Sequence, residues 1–202
     1  FISIVFSFLS TTIANALFLL STAPLLTATL GWAVLGERPS RLTWVAVGIA
    51  ICGAAVMVGE GMAAGDVFGD LMALAAAMAF AAYSVVIRAG RRTDMLPALF
   101  YAGAFSGMVA MAGATLIGTG LAVSGWDAAV SVTYGTVGIS GGLVLYTLGS
   151  RYVPAAELNV LSLSEVVLGP LWVWLAFTEE PSSLTLVGGG IILVAVMLQA
   201  AG

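Results

Sequence analysis

Glu37-Arg38-Pro39-Ser40-Arg41-Leu42-Thr43 and Glu179-Glu180-Pro181-Ser182-Ser183-Leu184-Thr185 are the stretches whose reading decides the fold. They overlie at a shift of 142 residues, and the same register sets Trp32 on Trp174, Gly48 on Gly190 and Ala14 on Ala156. Each stretch is a short polar connection between long apolar runs. What the repeat means depends on how often the chain crosses an apolar phase between its two copies.

That an apolar phase is present follows from composition. Of 202 residues, 61% are hydrophobic and 8% charged, against roughly 25% charged in a soluble domain. Mean hydropathy is +1.12. A water-soluble fold of this size would be left with an apolar exterior, so lipid is the solvent for most of the outer face. A helix needs about 20 apolar residues to cross the hydrocarbon core. Charges and turn residues divide the chain into seven such spans: 11–35, 42–58, 71–87, 96–117, 128–150, 155–177 and 184–200. Residues 1–9 are too short to cross and are expected to be the tail of an earlier helix. No basic segment precedes them and no small-residue cleavage site follows, which argues against a signal peptide. The runs are continuously apolar and not alternating, which excludes a β-barrel. The expected class is an all-α polytopic membrane protein with seven full spans and one partial span.

Five spans separate the two copies of the repeat, and an odd number of crossings puts them on opposite sides of the membrane. The repeat is therefore inverted, an arrangement common in secondary transporters. Charge agrees with this. Arg38 and Arg41 lie in one connection, Arg88, Arg91 and Arg92 in the next but one, and Arg151 in the next but one again. All six bases thus fall on one side, which the positive-inside rule makes cytoplasmic. Trp32, Trp44, Trp126, Trp172 and Trp174 all lie near span ends, as interfacial aromatics do.

At this point the residues resemble a known family. Pro24 and Leu35-Gly36-Glu37-Arg38, followed by an apolar helix with Gly48 and Gly53, resemble the end of an EamA-type repeat of the drug/metabolite transporter superfamily. Gly69-Asp70-Leu71, Ala79-Phe80-Ala81-Ala82-Tyr83, Gly141 to Tyr146, Arg151-Tyr152-Val153, Glu165 and Thr178-Glu179-Glu180 resemble a second, complete repeat. The resemblance implies two inverted repeats of five helices, with residues 1–59 the end of the first and 60–202 the second. It also implies that the first two helices and most of the third are absent from this chain. Two positions depart from the family pattern: Glu165-Val166 stands where Glu-Pro is usual, and Phe177-Thr178-Glu179 where Leu-Gly-Glu is usual.

Polar residues inside spans are the functional candidates, because each is costly in lipid unless it faces protein or a cavity. The 155–177 span is richest, with Glu157, Asn159, Ser162, Ser164 and Glu165. Glu165 lies ten residues into it, ~15 Å at 1.5 Å per residue and so near the midplane. An ionised acid there costs roughly 2.5–3.5 kcal/mol, which suggests a proton-coupling or substrate-contacting group, the alternative being a structural hydrogen bond across helices. Glu157 sits a turn from the inner interface. Asn15, Thr22 and Thr29 share one helix face, and the 142-residue shift lays Asn15 on Glu157 and Thr22 on Ser164. Thr133, Ser140 and Thr147 repeat the spacing, and Tyr83 and Ser84 add polar groups on a further span. These side chains are expected to line one polar path with Glu165 at its centre. A simpler role for the hydroxyls is bonding to their own helix carbonyls. Gly103, Gly107, Gly188, Gly189 and Gly190 are expected to serve close helix packing.

Other functions lack the residues they need. Histidine is absent, and the single Cys52 lies in an apolar run, so no zinc or transition-metal site and no internal disulfide is expected. No phosphate-binding loop or catalytic serine elbow occurs, so neither an ATP-driven pump nor an acyl-transfer enzyme is indicated. Six arginines make no nucleic-acid face. The expected function is a gradient-driven exporter or exchanger of a small metabolite, without cofactor, in a bacterial inner membrane. Its expected partners are the lipid bilayer, a small-molecule substrate, and a second copy or a larger membrane complex. The alternative is a non-transporting structural subunit of such a complex, derived from a transporter.

Overall fold

The computed structural model describes residues 2–90, 93, 96–117, 124–149, 168, 172 and 181–200. Among the described residues every regular element is helical. That is the outcome lipid demands, since backbone groups in hydrocarbon must be satisfied within the segment. The helices are α1 (Ile2–Ser10), α2 (Ile13–Leu20), α3 (Ala23–Leu35), α4 (Arg41–Ala64), α5 (Val67–Ala89), α6 (Leu96–Ile117), α7 (Gly125–Thr133), α8 (Gly141–Gly149) and α9 (Ser183–Ala200), with a π-helical turn Tyr134–Ser140 joining α7 to α8. Six segments are long and apolar enough to span a membrane: Ile13–Leu35, Arg41–Met62, Val67–Ala89, Pro97–Leu116, Gly125–Gly149 and Ser183–Ala200. They correspond to six of the seven expected spans; the seventh, 155–177, lies outside the described residues.

The chain forms two compact units, Phe1–Val86 with Ala155–Gly202, and Ile87–Pro154. In the first, α4 and α9 form the centre. Gly53 lies against Gly188 and Ile192, Met57 against Gly188, and Glu60 against Thr185. Rising numbers on one helix meet falling numbers on the other, so the two run antiparallel. The approach is close because side chains are missing there. A Cβ added to Gly53 would come 2.7 Å from the Gly188 carbonyl oxygen, and one on Gly189 would come 2.6 Å from the Phe18 ring of α2. Gly188 and Gly189 thus serve packing as expected, whereas Gly190 meets nothing within 4 Å. Ala46, Ala50, Ile192 and Ala195 complete the buried seam, joined by Leu19, Leu25 and Ala73 from the neighbouring helices.

Local signals place the ends. Ser40 caps α4 by accepting from the Thr43 N–H at 3.1 Å, and Ser182 caps α9 by accepting from the Thr185 N–H at 3.0 Å. The Ser-x-x-Thr repeat in the sequence is therefore the same cap built twice. Gly36 ends α3 with φ +69° and Gly65 ends α4 with φ +91°, left-handed conformations that favour glycine. Trp32 and Trp44 pack edge to face, 5.3 Å apart, across the α3–α4 turn.

The second unit holds α6 and the α7–α8 segment. A Cβ at Gly103 or Gly107 would meet nothing within 4 Å, so the close packing expected of this pair is not made among the described residues. The π turn is glycine-containing, at Gly135 and Gly138, and its wide loop is closed by Ser140 Oγ donating to the Gly135 carbonyl at 2.8 Å.

A buried polar cluster as the candidate functional site

The chain breaks between α1 and α2 at Thr11-Thr12. Thr12 caps α2, its hydroxyl accepting from the Asn15 N–H at 3.2 Å. The break frees the Thr11 side chain to turn toward α5. Gly69 of α5 permits this, since a Cβ there would come 2.6 Å from the Ser10 carbonyl carbon. The next residue, Asp70, is fully buried, and Asn15 is only 6% exposed.

Asp70 Oδ1 accepts two hydrogen bonds, from Thr11 Oγ1 at 3.0 Å and from Asn15 Nδ2. Asn15 Nδ2 also reaches Thr11 Oγ1 at 3.2 Å. Asp70 Oδ2 and Asn15 Oδ1 are both buried without a hydrogen-bond partner. Asp70 Oδ2 rests against the backbone of Gly61, where a Cβ would overlap it. Among the described residues, the charged groups that act on Asp70 are Asp66 and Glu60, both acidic. A carboxyl in the first turn gains from the helix dipole. Its hydrogen-bonding partners here are nonetheless neutral donors, and only one of its oxygens has any.

Thr22 and Ser21 lie at a second break, between α2 and α3. Pro24 stands in the first turn of α3 and lacks an N–H, so it gives no helical donor to the Leu20 carbonyl four residues before it. Ser21 Oγ donates to the Phe18 carbonyl, and Thr22 Oγ1 to that of Leu19 at 2.7 Å. Thr29 Oγ1 likewise donates to the Leu26 carbonyl at 2.8 Å. From α9, Gln199 Nε2 donates to the Pro24 carbonyl at 3.1 Å. At the other end of α9, Thr185 Oγ1 donates to Glu60 Oε2 at 3.2 Å.

The candidate residues are thus distributed unevenly. Asn15 joins Thr11 and Asp70. Thr22 is buried beside the helix break. Tyr83 is half-buried on α5, its ring 6.1 Å from that of Phe80. Ser140 is exposed in the other unit, on the π turn. Glu157, Asn159, Ser164 and Glu165 lie outside the described residues. Asp70 did not stand out in the sequence, because a charge preceding an apolar run reads as part of a connection. Its position one residue after Gly69, with no second charge before Arg88, was the available signal of a first-turn acid.

Comparison with known proteins bears on the chain as a whole. The family model of the EamA-like transporter family matches residues 1–59 and 67–200. The uncharacterized transporter YwfM of Bacillus subtilis (strain 168) is similar, with 36% identity over 76 residues, 37% of this chain and 26% of the relative. The match therefore spans about a quarter of the relative's length. No solved structure matches the chain.

Proposed function

We infer function from a premise that those matches supply: the chain belongs to the EamA-like transporter family. We propose that it is a gradient-driven transporter, an exporter or exchanger of a small metabolite, in a bacterial inner membrane with its arginine-bearing connections in the cytoplasm. The observation that carries the reading is the antiparallel seam between α4 and α9, capped at opposite ends by the same Ser-x-x-Thr turn. Gly53 against Ile192, Met57 against Gly188 and Glu60 against Thr185 hold one antiparallel register, and extending it brings residues 142 apart level near Ile51 and Leu193. Two equivalent helices thus cross at equivalent residues, as a half-turn in the membrane plane requires. Transporters built this way exchange inward and outward openings by rocking one repeat against the other about a site near the midplane. On this reading residues 1–59 are the end of the first repeat and 60–202 the second, and Glu165 is the ionisable group near the midplane, flanked by Glu157, Asn159 and Ser164. Asn15, Thr22 and Tyr83 remain its candidate polar neighbours.

The test is flux in proteoliposomes, with a panel of labelled small polar and amphipathic metabolites and an imposed ion gradient. The expected result is gradient-dependent accumulation of at least one class by the wild type, lost in Glu165→Gln at normal expression. That substitution keeps volume and hydrogen-bonding capacity while removing ionisation. Absence of flux in the wild type across the panel refutes the transporter reading. Equal flux in Glu165→Gln refutes the role of Glu165.

A further inference from the structure

We propose that Thr11, Asn15 and Asp70 form a site for one monovalent cation, a proton or a sodium ion, near the outer end of α2 and α5. Calling this the outer end, and the ion the one whose gradient drives transport, rests on the orientation and function proposed above. The site itself does not.

The argument starts from charge. Asp70 is fully buried, and its hydrogen-bond partners are the neutral Thr11 and Asn15. Burying a carboxylate among neutral groups costs far more than its hydrogen bonds return, unless a positive charge accompanies it. Among the described residues no side chain supplies that charge: the charged groups acting on Asp70 are Glu60 and Asp66, one from the end of α4 and one preceding α5. From α1 and α2 the facing groups are Thr11 and Asn15, both neutral.

The argument then turns to unused acceptors. Asp70 Oδ2 and Asn15 Oδ1 are buried without donors in the same cluster. An orphaned buried acceptor costs about 1–3 kcal/mol, and Asp70 and Asn15, which are hydrogen-bonded to each other, leave one such acceptor each. The available atoms are hard oxygens: a carboxylate, an amide carbonyl and a hydroxyl. Hard oxygens suit an alkali cation or a proton and not a soft metal. Gly61 matters here too, because a side chain at that position would occupy the place of Asp70 Oδ2.

The test needs no substrate. The full chain, purified in detergent, is melted across a sodium chloride series balanced with choline chloride, and across a pH series in sodium-free buffer. A sodium site gives a melting temperature that rises and saturates with sodium. A proton site gives one that rises as pH falls, with no sodium effect. In either case Asp70→Asn, which keeps the shape of the side chain, removes the response. Thr11→Val serves if Asp70→Asn fails to fold, with sodium midpoints moved about tenfold upward for a sodium site. For a proton site it moves the pH midpoint while leaving sodium without effect. Insensitivity of the wild type to both ions overturns the proposal, as does an unchanged response in Asp70→Asn. A parallel measurement of charge displacement after a sodium or pH jump on supported proteoliposomes separates the two readings. Ion-dependent melting without charge displacement sustains the site and fails the transporter reading. Equal displacement in wild type and Asp70→Asn overturns the site and leaves the transporter reading standing.

Discussion

Gly53→Ala tests the α4–α9 seam most sharply, because the structure specifies what one methyl group meets there. The added Cβ would lie 2.7 Å from the Gly188 carbonyl oxygen and 2.9 Å from Ile192 Cγ1, where ordinary contact begins at 3.4 Å. The Ile192 side chain can rotate, but a backbone carbonyl moves only with its helix. The helices must therefore separate by roughly 0.7 Å at this point. A gap of that size forfeits about a quarter to a half of the dispersion energy of each contact pair around it. Overpacking of this kind costs about 1–3 kcal/mol. Gly48→Ala is the control on the same helix, since a Cβ there meets nothing within 4 Å. It should be neutral or stabilising by up to about 1 kcal/mol, from helix propensity alone. The assay is equilibrium unfolding in bicelles, reading both variants against the wild type. If Gly53→Ala falls within about 0.5 kcal/mol of Gly48→Ala, inside the usual range for substitutions away from structural features, the close crossing does not exist. The placement of the repeat axis then fails with it.

Two further outcomes are expected. Thr22→Val should cost about 0.5–1.5 kcal/mol, because it removes the hydroxyl bond to the buried Leu19 carbonyl, whereas Thr22→Ser should stay near wild type; equal stability of the two would deny the hydroxyl that role. In a Cys52→Ala background, Arg38→Cys should react with an impermeant maleimide only from the cytoplasmic side and Ser183→Cys only from the other; labelling of both from one side contradicts the inverted repeat.

Much of this architecture can be read from residues in order, because lipid reduces the problem to one dimension. Span length and the recurring Ser-x-x-Thr turns are local properties, and six of the seven helices they indicate are present among the described residues. What resists such reading is whatever depends on two segments meeting. Using charges as boundaries started the fifth helix at residue 71, whereas it begins at Val67 and carries Asp70 inside its first turn. An acid can enter a helix there because the dipole favours it and because Thr11 and Asn15, more than fifty positions away, supply donors. Asn15 was legible as an isolated polar residue in an apolar span; its partner was not. Glycines show the same limit. Gly188 and Gly103 look alike in sequence, yet one lies against Met57 and the Gly53 carbonyl while the other meets nothing.

The repeat is also unequal at its two ends, and the inequality leads to a last prediction. At the start of α9, Thr185 is buried, accepts from Ser182 Oγ at 3.2 Å and donates to Glu60 Oε2 at 3.2 Å. Its equivalent at the start of α4 is Thr43, buried likewise and paired with Ser40 Oγ at 3.1 Å. Under the 142-residue shift the position matching Glu60 is Gly202, which has no side chain. One end of the crossing is therefore tied by a hydrogen bond to a carboxylate that the other end lacks. Bonds to charged groups contribute about 1.5–3 kcal/mol when buried. Glu60 is half-exposed at a span end, so a value below that range, about 1 kcal/mol, applies. Valine matches threonine in shape, so Thr185→Val and Thr43→Val remove equivalent hydroxyls from equivalent caps. Thr185→Val should destabilise by about 1 kcal/mol more than Thr43→Val, and Glu60→Gln should shrink that difference. Hydrogen exchange should report the same asymmetry, with faster exchange in the first turn of α9 in Thr185→Val and little change in the first turn of α4 in Thr43→Val. Equal costs for the two valines would mean that the Glu60 bond adds nothing, and that the two ends of the crossing open with the same ease.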